Sequence, residues 1–296
     1  MFHRVLPAEP AAFGLPNCYR MRGTALTVAE LERVLDEAGP IVPLAAVEGA
    51  LVAREEPPTG SVLTFDDGYR EHLDVVAPML AARGATATFY VATGLRGNGS
   101  AVGVVDAWYW LLDHAERGSA TVGMPDGGTF RGRIDTAEEK AAWVGGPPKV
   151  ALLAATPAEQ RRMLHALAES TGTTMPPDLA RRLYLASEDW LALVQIGMRV
   201  GAHSVGHPRL TQLSDEELDR EVGESIATIA ATSAPVAFAY PDGAFNERVV
   251  GRVRAAGASS AVTCEIGVAG GGVEVLRLPR LFVAPSSGSL IVGASA

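Results

Sequence analysis

The stretch Ser61–Arg70, SVLTFDDGYR, places two adjacent carboxylates, Asp66 and Asp67, at the end of an apolar run and follows them at once with Gly68. Neighbouring carboxylates at the end of a buried strand repel each other, and the conflict is relieved by a cation or a shared proton. Side chains alternate along a strand, so neighbours normally point apart. Gly68 permits a sharp departure of the chain that lets both aspartates serve one place. Far downstream, GAHSVGHPRL sets His203 and His207 four residues apart, the first at the end of another candidate strand. Two imidazoles at this spacing can reach one ion from a single turn. Two histidines with one aspartate make a three-ligand site with open positions, the usual design of a catalytic metal centre. A third stretch, VAFAYPDGAF (Val236–Phe245), runs a strand into a Pro–Asp–Gly turn. That turn is expected to aim the Tyr240 backbone N–H at the mouth of the site, as a donor to an oxyanion. His72, His114 and His165 read as surface or satisfied core residues.

These groups need strand ends that meet. Short apolar runs at Phe2–Leu6, Ser61–Phe65, Thr86–Ala92, Arg199–His203, Val236–Tyr240, Ser260–Thr263 and Arg277–Val283 are candidate strands. Helical patterns lie between them. Thr27–Ala38 and Ser214–Ala231 open with a capping-box spacing, Thr27 with Glu30 and Ser214 with Glu217. Glu71–Arg83 ends at Gly84, a C-cap residue, and Ser187–Gly197 and Asn246–Gly257 follow the same plan. Strand, helix, strand in repetition means a parallel sheet, open or closed into a barrel. Functional groups of such a barrel gather at the C-terminal ends of its strands. From about 106 to 185 the rhythm breaks into a stretch read as a helical insertion interrupted by GMPDGG and GGPP. Trp108, Tyr109 and Trp110 at its start could stack on the flat faces of a ligand, although at helical spacing such residues are more often core.

With 296 residues, 48% of them hydrophobic, the chain can bury a large core in one domain. A net charge of −9 argues against a nucleic-acid partner. Cys18 and Cys264 make no disulfide framework and read as free thiols. The opening MFHRVLPAEP has no basic stretch followed by a long apolar run, and no window has the ~20 apolar residues of a membrane span. The expectation is a cytoplasmic protein without stable membrane insertion.

TFDDGY, HSVGH and FAYPDG together resemble the three leading motifs of the polysaccharide deacetylase family, carbohydrate esterase family 4, related to the nodulation-factor deacetylases. FHRV, ATFYVATG, HPRLTQLS and LPRLFV look like its poly-N-acetylglucosamine deacetylase branch. The resemblance covers most of the chain outside the insertion. It implies a distorted (β/α)7 barrel and metal-dependent removal of an acetyl group from a sugar. On the matching positions, Asp67, His203 and His207 would hold a divalent metal, Zn2+ first and Co2+, Ni2+ or Fe2+ as substitutes. Asp66 would be the general base, and Tyr240 would supply the backbone donor.

The chain departs from the family in two places: no histidine follows His207, and the third motif lacks its arginine. His3, at the end of the first short strand, and Arg280, in LPR, are the candidates to fill these gaps as proton donor and as partner of Asp66. The implied reaction is N-deacetylation of an acetylated amino sugar in a glycan, a glycolipid precursor or a glycosylated small molecule. The rival readings are an O-acetyl esterase or cyclic-amide hydrolase using the same site, and a carbohydrate-binding protein without catalysis.

Overall fold

A computed structural model of the chain describes residues 1–6 and 18–284. Among the described residues, six of the seven apolar runs form strands close to where they were expected, trimmed at their ends; Arg277–Val283 does not, and three further strands fall outside those runs. In chain order the strands are β1 (Arg4–Leu6), β2 (Ala25–Thr27), β3 (Leu63–Phe65), β4 (Ala87–Val91), β5 (Ser119–Gly123), β6 (Thr129–Arg133), β7 (Arg199–Ala202), β8 (Ala237–Ala239) and β9 (Ser260–Val262). The chain divides into two compact units, one made of Met1–Val5, Leu26–Ala101 and Ala180–Ala296, the other of Leu6–Ala25 and Val102–Leu179.

The first unit is built on a parallel sheet in the order β3-β4-β7-β8-β9. Register aligns Phe65 with Phe89, Val91 with Ala202, Ala202 with Phe238 and Ala239 with Val262. All five strands therefore end at the same edge. Single bridges extend the sheet on both sides, Phe2 beside Phe65 and Leu278 beside Val262. The Val283 N–H donates to the Met1 carbonyl at 3.1 Å, which joins the two outer segments. The result is a curled, distorted α/β barrel that the segments at Phe2 and at Leu278 join only through single bridges.

Helices cover the sheet because their apolar faces match it. Thr27 and Ser214 cap the helices Val28–Glu37 and Asp215–Ala230 with reciprocal capping boxes to Glu30 and Glu217. Leu31, Leu35, Leu218, Val222, Ile226 and Ile229 point inward, into one cluster with Phe65, Phe89, Val200 and Phe238. Helix Leu44–Ala53 was not expected, and its apolar residues lack a helical stripe; it is started by Pro43. Glu71–Arg83 is a π-helical turn, His72–Val76, running into an α-helix, Ala77–Ala82. Gly201 lets β7 lie flat against its neighbour, since a Cβ there would stand 2.5 Å from the Tyr90 ring.

In the second unit, the stretch expected to be helical carries a β-hairpin. β5 and β6 pair antiparallel, and Gly123–Gly128, GMPDGG, is their turn, closed by Met124 N–H to Gly128 O at 2.9 Å. The physical reason is visible in β5, whose residues alternate between buried and exposed, the strand period. GGPP opens the helix Pro147–Ala154, with proline in its first turn. Residues 180–185, expected in the insertion, belong to the first unit. Trp108, Tyr109 and Trp110 are buried, with Trp108 Nε1 donating to the Trp143 carbonyl and Trp110 Nε1 to that of Thr174. They are core residues, so they offer no face to a sugar.

Candidate active site

The C-terminal edge of the barrel gathers Asp66 and Asp67 after β3, His203 after β7 and Thr263 after β9. The backbone turns sharply there. Asp67, Gly68, Ser204 and His207 all have positive φ, at 76°, 71°, 61° and 57°. Non-glycine residues in this region are strained, and such strain concentrates at functional sites. At Gly68 the turn has no room for a side chain: a Cβ would stand 2.9 Å from Val91 Cγ1. This turn allows the two neighbouring aspartates to face different partners.

Asp67 faces the histidines. Its Oδ1 lies 3.6 Å from His203 Nε2 and 3.4 Å from His207 Nε2, and the three ligand atoms all fall within 4.8 Å of one another. The Nδ1 of His203 lies 2.7 Å from the Ala239 carbonyl and donates to it, which turns the Nε2 lone pair towards Asp67. Ligands at zinc bond lengths in a tetrahedron stand about 3.3–3.6 Å apart, so the observed separations fit a divalent ion. Burial disfavours a charged His203, but Asp67 and Asp66 outweigh it and raise the imidazole above its ordinary value. Burial pushes the Asp67 carboxyl up, and the two histidines and His3 override this and hold it far below the carboxylate range. Metal ligation needs the neutral imidazole, so an ion and a proton compete for these groups.

Asp66 faces the other way. Arg280 Nη1 donates to its Oδ1 at 2.8 Å, and Arg280 Nε donates to the Thr263 carbonyl at 2.8 Å. Both side chains of the ion pair are buried. Burial raises the Asp66 carboxyl, but Arg280 and then His203 outweigh it and leave it below its ordinary value. The Asp66 carboxyl is therefore ionised at neutral pH.

His3 is brought beside the pair by the bridge between Phe2 and Phe65, in which the Asp66 N–H donates to the Phe2 carbonyl at 2.9 Å. His72, in the π-turn, donates its Nε2–H to the His3 carbonyl at 2.7 Å. The His3 ring meets Phe282 edge-on at 5.7 Å, and its Nδ1 is buried with no hydrogen-bond partner among the described residues. Burial lowers its proton affinity, partly offset by Asp67 and Asp66. The remaining histidines stand apart: His114 stacks on Trp110, and His165 is exposed beside Glu169.

Tyr240 does not take the place expected for it. Its N–H donates to the Val262 carbonyl at 3.2 Å, continuing the β8–β9 ladder by one residue, and its hydroxyl donates to the Leu276 carbonyl at 2.9 Å. Both polar groups are spent on the fold, and the ring is buried between Phe238 and Phe245. The turn that follows holds Asp242 at φ 54°, 3.9 Å from Arg209.

Comparison with known proteins agrees with this geometry. The family model described as polysaccharide deacetylase matches residues 53–121 and 161–261, more than half of the chain. No curated protein sequence matches. Among solved structures, the deacetylase PplD of Streptococcus pyogenes, in complex with acetate, is similar over 96% of this chain and 91% of its own, with a TM-score of 0.57 and 20% identity. IcaB from Ammonifex degensii is similar over 96% and 90%, at 0.56 and 17%. The BpsB deacetylase domain from Bordetella bronchiseptica is similar over 94% and 93%, at 0.53 and 14%. The aspartate pair after β3, the histidines after β7 and the matched residues around them make this chain a member of the polysaccharide deacetylase family.

Proposed function

We propose that the protein is a divalent-metal-dependent hydrolase that removes the N-acetyl group from an amino sugar in a glycan or glycoconjugate. The observation that carries this reading is the division of labour within one dipeptide. Asp67 faces two imidazoles at ion-binding distances, while Asp66, next to it, is held by a buried arginine. Asp67, His203 and His207 would hold the metal, and two imidazoles with one carboxylate suit Zn2+, with Co2+, Ni2+ or Fe2+ as substitutes. When bound, such an ion polarises the acetyl carbonyl and makes water more acidic.

The chain's own residues move the protons. Hydrolysis of an amide takes a proton from the attacking water and returns one to the leaving nitrogen, since an amide anion is a very poor leaving group. Asp66 takes the first, and Arg280 keeps it ionised and aimed through Oδ1. His3 delivers the second. Its Nδ1 is buried with no hydrogen-bond partner among the described residues, which leaves that ring atom free to carry and give up a proton.

The test is the product ratio on defined sugars. N-acetylglucosamine oligomers should give acetate and free amine in equal amounts. Acetate from O-acetylated sugars alone would make the protein an esterase, and no acetate from either, with glycan binding retained, would make it a lectin.

A further inference from the structure

The two metal-ligand histidines are separated by a loop, Ser204–Gly206, whose conformation is costly to hold. Ser204 and His207 both have positive φ. On one side the loop is tied to the segment after β4: the Thr93 N–H donates to the Ser204 carbonyl at 3.0 Å and the Gly94 N–H to the Val205 carbonyl at 2.8 Å. The His207 N–H donates to Ser204 Oγ at 2.9 Å. Between the histidines, the N–H groups of Val205 and Gly206 point together at a single atom. Glu221 Oε2, from the middle of helix Asp215–Ala230, accepts from them at 2.9 and 2.8 Å. Successive backbone N–H groups turned to one side form a concavity for an anion, and here the anion is the protein's own carboxylate.

We infer that Glu221 is a positioning residue for the metal site: its carboxylate clamps the loop between His203 and His207 and fixes the distance between their Nε2 atoms. This rests on Asp67, His203 and His207 being the ion's ligands. Glu221 does not touch ion or substrate. It acts through two backbone amides, so its effect falls on ion affinity before it falls on any chemical step. Partners that orient metal ligands commonly change affinity 10–100-fold when removed, and that is the loss expected on removing both bonds.

The experiment is a chelator-competition titration of the metal-stripped full chain with Zn2+, on the parent, Glu221→Ala and Glu221→Gln. The parent binds with a defined affinity; if it does not, the metal reading itself fails, and the clamp with it. Given that binding, Glu221→Ala should bind about 10–100-fold more weakly at a temperature where its far-UV spectrum is that of the folded parent. Glu221→Gln, which keeps a carbonyl oxygen as acceptor, should stay within about threefold. Parental affinity in a folded Glu221→Ala overturns the proposal, as does a glutamine variant as weak as the alanine one. Amide exchange on the unmodified, metal-free protein is the second readout. Val205 and Gly206 should be protected to the level of the adjoining helix, and exchange at the rate of open loop amides overturns the clamp even if no variant folds.

Discussion

Replacing Arg280 with methionine isolates what keeps Asp66 ready as a base. The Arg280 guanidinium donates to Asp66 Oδ1 at 2.8 Å, and the two side chains are 5% and 3% exposed. Removing one partner of so dry a pair costs about 3–5 kcal/mol, because the remaining carboxylate is left buried without compensation. In the parent, burial pushes Asp66 up and Arg280 more than reverses it, so its folded value lies below the ordinary one. A depressed carboxyl contributes stability that is present above its unfolded pKa, about 3.9, and is lost as the pH falls through the folded value. In Arg280→Met the burial contribution is no longer offset by the guanidinium, and the folded value rises. Where it passes the unfolded value the sign reverses: the variant loses stability as the pH rises through the new folded value and keeps it below the unfolded one. The assay is denaturant unfolding of metal-stripped parent and variant from about pH 4 to pH 8. The gap should be about 3–5 kcal/mol near neutrality and narrow towards acid, and the acid limb of kcat/KM should move to higher pH. A gap that does not change with pH, with an unmoved acid limb, would show that Arg280 is only a packing residue and would refute the reasoning.

Two further variants divide the proton traffic. Asp66→Asn keeps Asp67 and the histidines, so it should retain the ion by metal analysis while kcat falls roughly two to four orders of magnitude; loss of the ion would make Asp66 a ligand. His3→Ala should retain the ion and slow N-deacetylation much more than hydrolysis of an activated acetyl ester, whose leaving group departs without a proton; equal losses on the two substrates would give His3 a binding role instead.

Much of this site is legible in the sequence because its signals are local. TFDDG and HSVGH state both a strand end and the residue types beyond it, and Thr27 with Glu30 and Ser214 with Glu217 fix helix starts within four residues. His3 and Arg280 could be nominated from their neighbours FHRV and LPR, but only the bridges at Phe65 and Val262 bring them to the strand edge. What stayed hidden depends on partners. Whether the Tyr240 N–H is free is decided by the register of β8 against β9, which has no signature in YPDG, and Val262 takes it. The β5–β6 hairpin was missed because two five-residue strands, one of them with arginine at alternate positions, show too little apolar content to be told from a polar loop. Nothing in the sequence marks Glu221 among the charges of its helix, and only the loop across from it gives it a task.

The central claim is that Asp67, His203 and His207 hold an ion without which the protein does not release acetate. The most direct test strips the protein with chelator and titrates Zn2+ back while following acetate release from N-acetylglucosamine oligomers, with His203→Ala alongside. The account predicts no release from the stripped protein, recovery complete at roughly one ion per chain, and no recovery in the variant, whose two remaining ligands hold the ion poorly. Full acetate release by the stripped protein, or recovery in His203→Ala at the same zinc concentration as in the parent, would contradict it.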